Sequence, residues 1–375
     1  MQEILFSGEG KLSELNNILK KYKNILLFTF PIESSTGLNE LNKYFQKLEN
    51  KYNITTISYV GKALPFEDID EKYNELKGIK NIDLVIGMGG GTIIDLTKIF
   101  SLAYSNKTIR FEDILNNKNL KNKIDMLFIP TTAGTGSEAT SFAVVYKDKI
   151  KYSVVRPSFL PKYVILDPML LKSLPENILN STILDALAQG IESIWAVGST
   201  SQSREYGKIA IKNILDNFEK ENSIDRFNKL QLGSYYSGKA INISKTTLSH
   251  SISYPLSSYF GIPHGVAVFL TLAKVSELNY FSTKENIQAE TNLTNVKESF
   301  SIIFDLFNVS SIDLLVKELN RIMVKLGFSP KLKDYGIAKT DLKLIADFSI
   351  TQGRANNNPR KLDKTDIYNL LEDIY

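Results

Sequence analysis

Two hydrophobic periods divide the chain. In the first half, short apolar runs alternate with stretches of helical spacing. Asn24–Thr29 and Leu84–Gly87 have the length and composition of buried strands, and Ile54–Val60 is rich in strand-forming residues. Between them, Leu38, Leu41, Tyr44, Phe45 and Leu48 recur on one helical face, and Glu67–Leu76 reads as a polar helix. Such alternation predicts a parallel sheet with crossover helices. Leu127–Pro130, Ser141–Tyr146 and Tyr152–Val155 add further strands, and Tyr163–Pro168 closes this half. After Leu174 the period lengthens. Residues 181–197, 203–220, 225–241, 267–280, 299–308, 311–326 and 363–374 fit amphipathic or buried helices. The expected organisation is an α/β domain over residues 1–174 followed by an all-α domain over 175–375.

Two loops of the first half carry candidate chemistry. Gly87-Met-Gly-Gly-Gly-Thr92 joins a strand to the helix that begins Ile93-Ile-Asp-Leu-Thr-Lys98. Glycines let a backbone approach a phosphate, and a helix start offers free N–H groups and the positive end of a dipole. A tight turn needs one glycine, hardly four. The run departs from GxGxxG, because Thr92 stands where the third glycine would be. The second loop, Thr131-Thr-Ala-Gly-Thr-Gly-Ser137, follows another strand and offers hydroxyl donors at Thr131, Thr132, Thr135 and Ser137. Two such loops point to a ligand crevice at the carboxyl ends of the strands.

Composition narrows the classes. With 43% apolar and 23% charged residues the chain can bury a sizeable core. A net charge of +4, spread along the chain, argues against a nucleic-acid binder. Without cysteine there is no disulfide framework and no thiolate metal site. No apolar run approaches 18 residues and the start lacks a signal-peptide pattern, so no membrane association and a cytoplasmic location are expected.

The chain holds two histidines, His250 and His264, fourteen residues apart in one segment. Upstream, Asp185 and Gln189 share a helix face at i,i+4 spacing. His250 is expected on a second helix and His264 in a turn leading to Gly265. A carboxylate, two imidazoles and an amide oxygen can surround one divalent cation, and imidazole with carboxylate suits Zn or Fe.

These motifs carry a resemblance. Gly89-Gly-Gly-Thr-Ile-Ile-Asp-Leu-Thr-Lys98 resembles GGGSxxDxAK of the iron-containing (group III) alcohol dehydrogenases, a family related to dehydroquinate synthase and glycerol dehydrogenase. Pro130–Glu138 resembles its PTTAGTGSE, Asp167-Pro168 its DP, Asp185–Glu192 its DALTHAIE, and Pro263-His-Gly265 its PHG. The resemblance implies a Rossmann-like N-terminal domain, a helical C-terminal domain and a metal site. It implies hydride transfer between NAD(P)H and a small alcohol or aldehyde, and a homodimer is expected. The family's ligand positions fall on Asp185, Gln189, His250 and His264; the second is His in most relatives. Tyr254 stands where a further family histidine lies, and is a candidate catalytic residue. The candidate cofactor-binding residues are Gly89, Gly90, Gly91, Thr92, Asp95, Thr131, Thr132, Thr135, Ser137 and Lys151.

The stretches Asp185–Ser193 and Asn242–Pro255 are similar to a subgroup described as phosphonoacetaldehyde reductase or 2-hydroxyethylphosphonate dehydrogenase. Lys245 stands where the common pattern has glycine, five residues before His250, and is a candidate phosphonate holder. Arg156, Arg354 and Arg360 are the other candidate cations. Phe30 stands near the acidic position that disfavours NADPH, with Ser34 and Ser35 following and Glu33 able to take the acid's role, so NADPH is expected to serve at least as well as NADH. The rival readings are a general short-chain alcohol dehydrogenase, a dehydroquinate-synthase-like lyase or cyclase, and an inactive nucleotide-binding relative.

Overall fold

Leu84–Gly89 is buried at all six positions and Ile25–Thr29 at all five, as strands covered on both faces must be. The structure, a computed structural model, describes residues 3–32, 39–61, 64–148, 150–350 and 354–375. The strands are β1 (Ile4–Ser7), β2 (Ile25–Thr29), β3 (Ile54–Ser58), β4 (Leu84–Gly89), β5 (Asp125–Pro130), β6 (Phe142–Lys147), β7 (Ile150–Val155) and β8 (Tyr163–Leu166). All but β6 and β7 form one parallel sheet in the order β1-β8-β5-β4-β2-β3. The helices of this half are α1 (Leu15–Leu19), α2 (Asn39–Glu49), α3 (Phe66–Leu76), α4 (Gly91–Asn106) and α5 (Phe111–Asn116).

From β2 the chain steps outward to β3, then returns to the other side of β2 for β4 and continues to β5. The order therefore reverses at the β2–β4 pair, and ligands of open α/β sheets bind at the carboxyl ends beside such a reversal. The last residues of β4 and β5, Gly89 and Pro130, are register partners, and the Thr131 N–H donates to the Gly89 carbonyl at 3.1 Å. The two candidate loops thus leave the sheet side by side. One apolar layer packs α3 and α4 on the sheet, with Leu96, Ile99, Phe100 and Ala103 fully buried; α1 and α2 cover the other face through Leu15, Leu19 and Phe45.

Two of the expected strands, β6 and β7, lie outside the parallel sheet. They form an antiparallel hairpin, with Phe142 opposite Val155 and Lys147 opposite Ile150. Ala143 and Val145 point into the core while Phe142, Val144 and Tyr146 are half-buried, the alternation of a one-sided sheet.

The chain divides into two compact units: Met1–Leu174 with Asn222–Gln231, and Pro175–Glu221 with Leu232–Tyr375. The short insertion is the beginning of a long helix, and Gln231 Nε2 donates to the Pro130 carbonyl at 3.2 Å. The second unit is built from α6 (Glu176–Trp195), α7 (Ser201–Leu215), most of α8 (Ile224–Ser244), α9 (Leu248–Phe260), α10 (His264–Tyr280), α11 (Leu293–Phe307), α12 (Ile312–Lys325), α13 (Leu342–Ser349) and α14 (Lys364–Asp373). Among the described residues no single helix is long and apolar enough to cross a membrane.

Candidate metal centre and cofactor cradle

In the first unit, α4 opens at Gly91 behind an extended Gly90 (φ −75°, ψ −177°). Its first N–H groups have no helical carbonyl to satisfy them. A Cβ at Gly91 would lie 3.0 Å from the Thr135 side chain, so the second loop packs closely on the helix start and Thr135 would have to give way to any side chain there. Gly89, Gly90, Gly91 and Thr92 are in this way brought against Thr131, Thr132 and Thr135. The arrangement fits a pyrophosphate, whose charge would meet a helix N-terminus and several donors.

Asp95 and Ser137 are hydrogen-bonded to each other. The Ser137 hydroxyl donates to Asp95 Oδ1 at 2.6 Å, and the Val144 N–H to Asp95 Oδ2 at 2.8 Å. Lys98, fully buried, donates from Nζ to the carbonyls of Ser137 and Phe142, both at 2.7 Å, and to the hydroxyls of Ser137 and Thr140. Asp95 lies 3.6 Å from that ammonium. This knot ties α4 to the second loop and to β6. Burial pushes Lys98 down to about 8 against the opposing pull of Asp95 and Glu138, and pushes the neighbouring Glu138 carboxyl up to about 7. Sequence reasoning did not single out Lys98, although its i,i+3 spacing from Asp95 was visible. Lys151 lies on β7 opposite Tyr146, half-buried. Phe30 is half-buried and packs on both apolar layers; Glu33, Ser34 and Ser35 lie outside the described residues.

In the second unit, Asp185 on α6, His250 on α9 and His264 on α10 each offer a ligand atom, all within 4.8 Å of one another. His264 is the first residue of α10 and not part of a turn: Pro263 caps that helix with φ −53° and ψ 137°. A Cβ at Gly265 would lie 1.9 Å from the Ser181 carbonyl oxygen, so only glycine lets α10 rest on α6 at the level of Asp185. His250 Nε2 is 3.3 Å from Asp185 Oδ1, and Ser253 Oγ is 3.4 Å from His264 Nδ1. Two imidazoles and a carboxylate converging on one point are the donor set of a Zn or Fe site, and the residues present fit such an ion.

Glu192, two turns along α6 from Asp185 and fully buried, holds His250 from behind. Its carboxylate lies 2.5 Å from His250 Nδ1 and accepts from the N–H groups of Thr247 and Ser249, both at 3.0 Å, and from the Thr247 hydroxyl at 2.7 Å. It thereby caps α9 and leaves His250 Nε2 to face the ligand cluster. Burial works to lower His250, but the charge of Glu192 and the bonds from Asp185 and Glu192 prevail and raise it. Burial likewise works to raise Asp185, yet His250, His264 and Gln189 hold it low. The sequence motif contained Glu192, but nothing in its spacing marked it out from other helix carboxylates.

Gln189 is buried beside this cluster. Its Nε2 donates to Asp185 Oδ1 at 3.1 Å, and its Oε1 accepts from the Ser237 hydroxyl at 2.9 Å. Tyr254 lies one turn beyond His250 on α9, and the Arg354 guanidinium sits 4.9 Å from its ring centre. Lys245 follows the end of α8 in a left-handed conformation, φ 65°. Burial lowers its ammonium, and the charge of Arg354 lowers it further. Asn357 holds the two segments together by donating to the carbonyls of Ser244 (2.8 Å) and Thr246 (3.0 Å). The other candidate cations serve the backbone. Arg156 donates to the carbonyls of Ile114, Asn117 and Val155, and Arg360 to that of Leu278 at the end of α10.

Comparison with known proteins agrees with both halves of this picture. Residues 2–168 match the family described as iron-containing alcohol dehydrogenase, and residues 180–375 its C-terminal region. An NADPH-dependent butanol dehydrogenase of Clostridium saccharobutylicum is 28% identical over 99% of this chain and 96% of its own length. A phosphonoacetaldehyde reductase of Streptomyces viridochromogenes is 27% identical over 84% of this chain and 82% of its own. In fold, the chain is similar to sulfoacetaldehyde reductase from Bifidobacterium kashiwanohense, solved with NAD+, at a TM-score of 0.84 and 22% identity over 99% of this chain and 96% of that one. The parallel sheet with its glycine-rich loops, the helical unit with its histidine–aspartate cluster and the two family matches agree, and the chain belongs to the iron-containing alcohol dehydrogenase family as an NAD(P)-dependent alcohol dehydrogenase or aldehyde reductase.

Proposed function

We propose that the chain reduces a small aldehyde bearing a phosphonate, phosphonoacetaldehyde to 2-hydroxyethylphosphonate, with NADPH serving at least as well as NADH. The observation that carries the substrate reading is a pair of cations: Arg354 lies over the ring of Tyr254, one helix turn from His250, and Lys245 is close enough to feel the charge of Arg354. A phosphonate carries close to two negative charges and calls for cationic donors. The similarity to a phosphonoacetaldehyde reductase supports the same reading.

The residues take these roles. Gly89, Gly90, Gly91 and Thr92 receive the pyrophosphate at the start of α4, with Thr131, Thr132 and Thr135 as donors. Asp185, His250 and His264 hold a divalent metal, Zn or Fe. When bound, the metal would supply Lewis acidity for the aldehyde oxygen and the nicotinamide would supply the hydride. Lys245 and Arg354 anchor the phosphonate and so aim the carbonyl end at the cluster. The phenol of Tyr254, a hydrogen-bond donor on the same face of α9 as His250, hands a proton towards the alcohol oxygen.

The test is a panel of phosphonoacetaldehyde, sulfoacetaldehyde, propanal and butanal against NADH and NADPH. The phosphonate should give the highest kcat/KM. Better turnover of propanal or butanal would replace this reading with a general short-chain alcohol dehydrogenase.

A further inference from the structure

We infer that the metal of this chain is held by three protein donors, Asp185, His250 and His264, and that Gln189 is a positioning residue which bonds Asp185 and does not ligate. The inference rests on the metal reading above and departs from a four-ligand site.

The geometry of the carboxamide carries it. One end of Gln189 faces Asp185 Oδ1 at 3.1 Å and the other faces the Ser237 hydroxyl at 2.9 Å. A carboxylate that ligates a metal does so in its deprotonated form. A carboxylate accepts and does not donate, so the end of the amide opposite it must be the NH2. The reverse orientation would set two acceptors against each other in a buried site. Gln189 is 4% exposed and Asp185 3%, so no solvent softens that clash. The Ser237 hydroxyl has a second acceptor at hand, the Ser234 carbonyl at 2.8 Å, so Asp185 sets the amide's orientation and Ser237 follows it.

Ligation through Oε1 would require the amide to turn over. Asp185 would lose its donor, and only the Ser237 hydroxyl, which can donate to the Ser234 carbonyl and accept from the NH2, could adapt. Against this stands one amide oxygen, a weak donor beside two imidazoles. A bond to a ligating carboxylate is itself a common device for fixing ligand geometry. A three-donor set of two histidines and one carboxylate leaves more than one position open.

The experiment uses the full-length protein loaded with Co(II), whose visible bands report its ligands, and Zn(II) titrated against a chelator. Gln189→Ala should leave the Co(II) bands in place and weaken Zn(II) binding by about tenfold, the size expected for losing a group that orients a ligand. Gln189→His should move the bands and tighten Zn(II) at least tenfold, because an imidazole then joins the set. Bands that shift in Gln189→Ala would overturn the inference. So would a crystal structure of the Zn(II) form of the unaltered protein with Oε1 at about 2.1 Å from the ion; Oε1 pointing to Ser237 in that structure would support it even if Gln189→Ala fails to fold. Absence of any Co(II) bands or Zn(II) binding in the unaltered protein would remove the metal reading itself, and this inference with it.

Discussion

Arg354 acts on Lys245: after burial, its charge is what holds the Lys245 ammonium below its ordinary pKa. Two like charges kept together in a half-buried place oppose each other. An anion bound beside both, as the proposed substrate would be, is expected to relieve that opposition.

Lys245 also sits in a left-handed backbone, φ 65°, that suits glycine. That conformation costs a non-glycine residue about 1–2 kcal/mol, partly offset by the greater freedom glycine has when unfolded. Lys245→Gly is therefore expected to raise stability by roughly 0.5–1 kcal/mol. The same change should lower kcat/KM for phosphonoacetaldehyde by about tenfold to a hundredfold, the loss of one charged hydrogen bond. Calorimetry and kinetics on the anionic aldehyde and on propanal check both halves. Equal losses on the two substrates would show that Lys245 does not hold the anion.

Glu192→Ala should weaken Zn(II) binding by about 10–100-fold, because His250 would lose the acceptor that fixes its ring. Turnover should recover in part at saturating Zn(II). A competition titration against a chelator measures the first effect. An unchanged affinity would mean that the Glu192 bonds to Thr247 and Ser249 serve only to cap α9.

The buried Glu138 predicts a pH signature. Its folded pKa is about 7 against an ordinary 4.5. Between those values the folded chain keeps a proton that the unfolded chain has released, so this group's contribution makes stability fall as pH rises from 4.5 to 7. Above pH 7 its full penalty is present. Glu138→Gln should melt near the parent temperature at pH 4.5 and increasingly above it up to pH 8. A melting-temperature series across that range tests the sign. A variant uniformly less stable would mean that the Lys98 ammonium requires the charge of Glu138.

For the cofactor, kcat/KM with NADPH should equal or exceed that with NADH, because Phe30 offers no carboxylate to repel a 2′-phosphate. A strong preference for NADH would turn attention to Glu33, and Glu33→Ala would then be the informative variant.

Much of the fold could be read from period alone. The runs that became β2 and β4 are apolar throughout because both faces of the sheet are covered. Direction was less visible: alternation in Phe142–Lys147 marks a strand but does not say that its partner, β7, runs back against it. Asn222–Gln231 belongs to the first unit through contacts distant along the chain, such as that of Gln231 with Pro130. The ligand trio stood out because histidine is so rare here. Glu192 did not, since its meaning appears only when the start of α9 brings Thr247, Ser249 and His250 to it. Asp95 and Ser137 read as ligand-facing groups, and the buried Lys98 that engages both was overlooked.

The seat of Gly265 against the Ser181 carbonyl has a bearing on when the metal enters. Main-chain packing brings α10 and α6 together, and that packing needs no cation. That contact sets Asp185 and His264 side by side without calling on the ion. On that basis chelation is expected to silence the enzyme while leaving it folded, and the active fraction in a cell to follow the supply of the ion, however much protein is made.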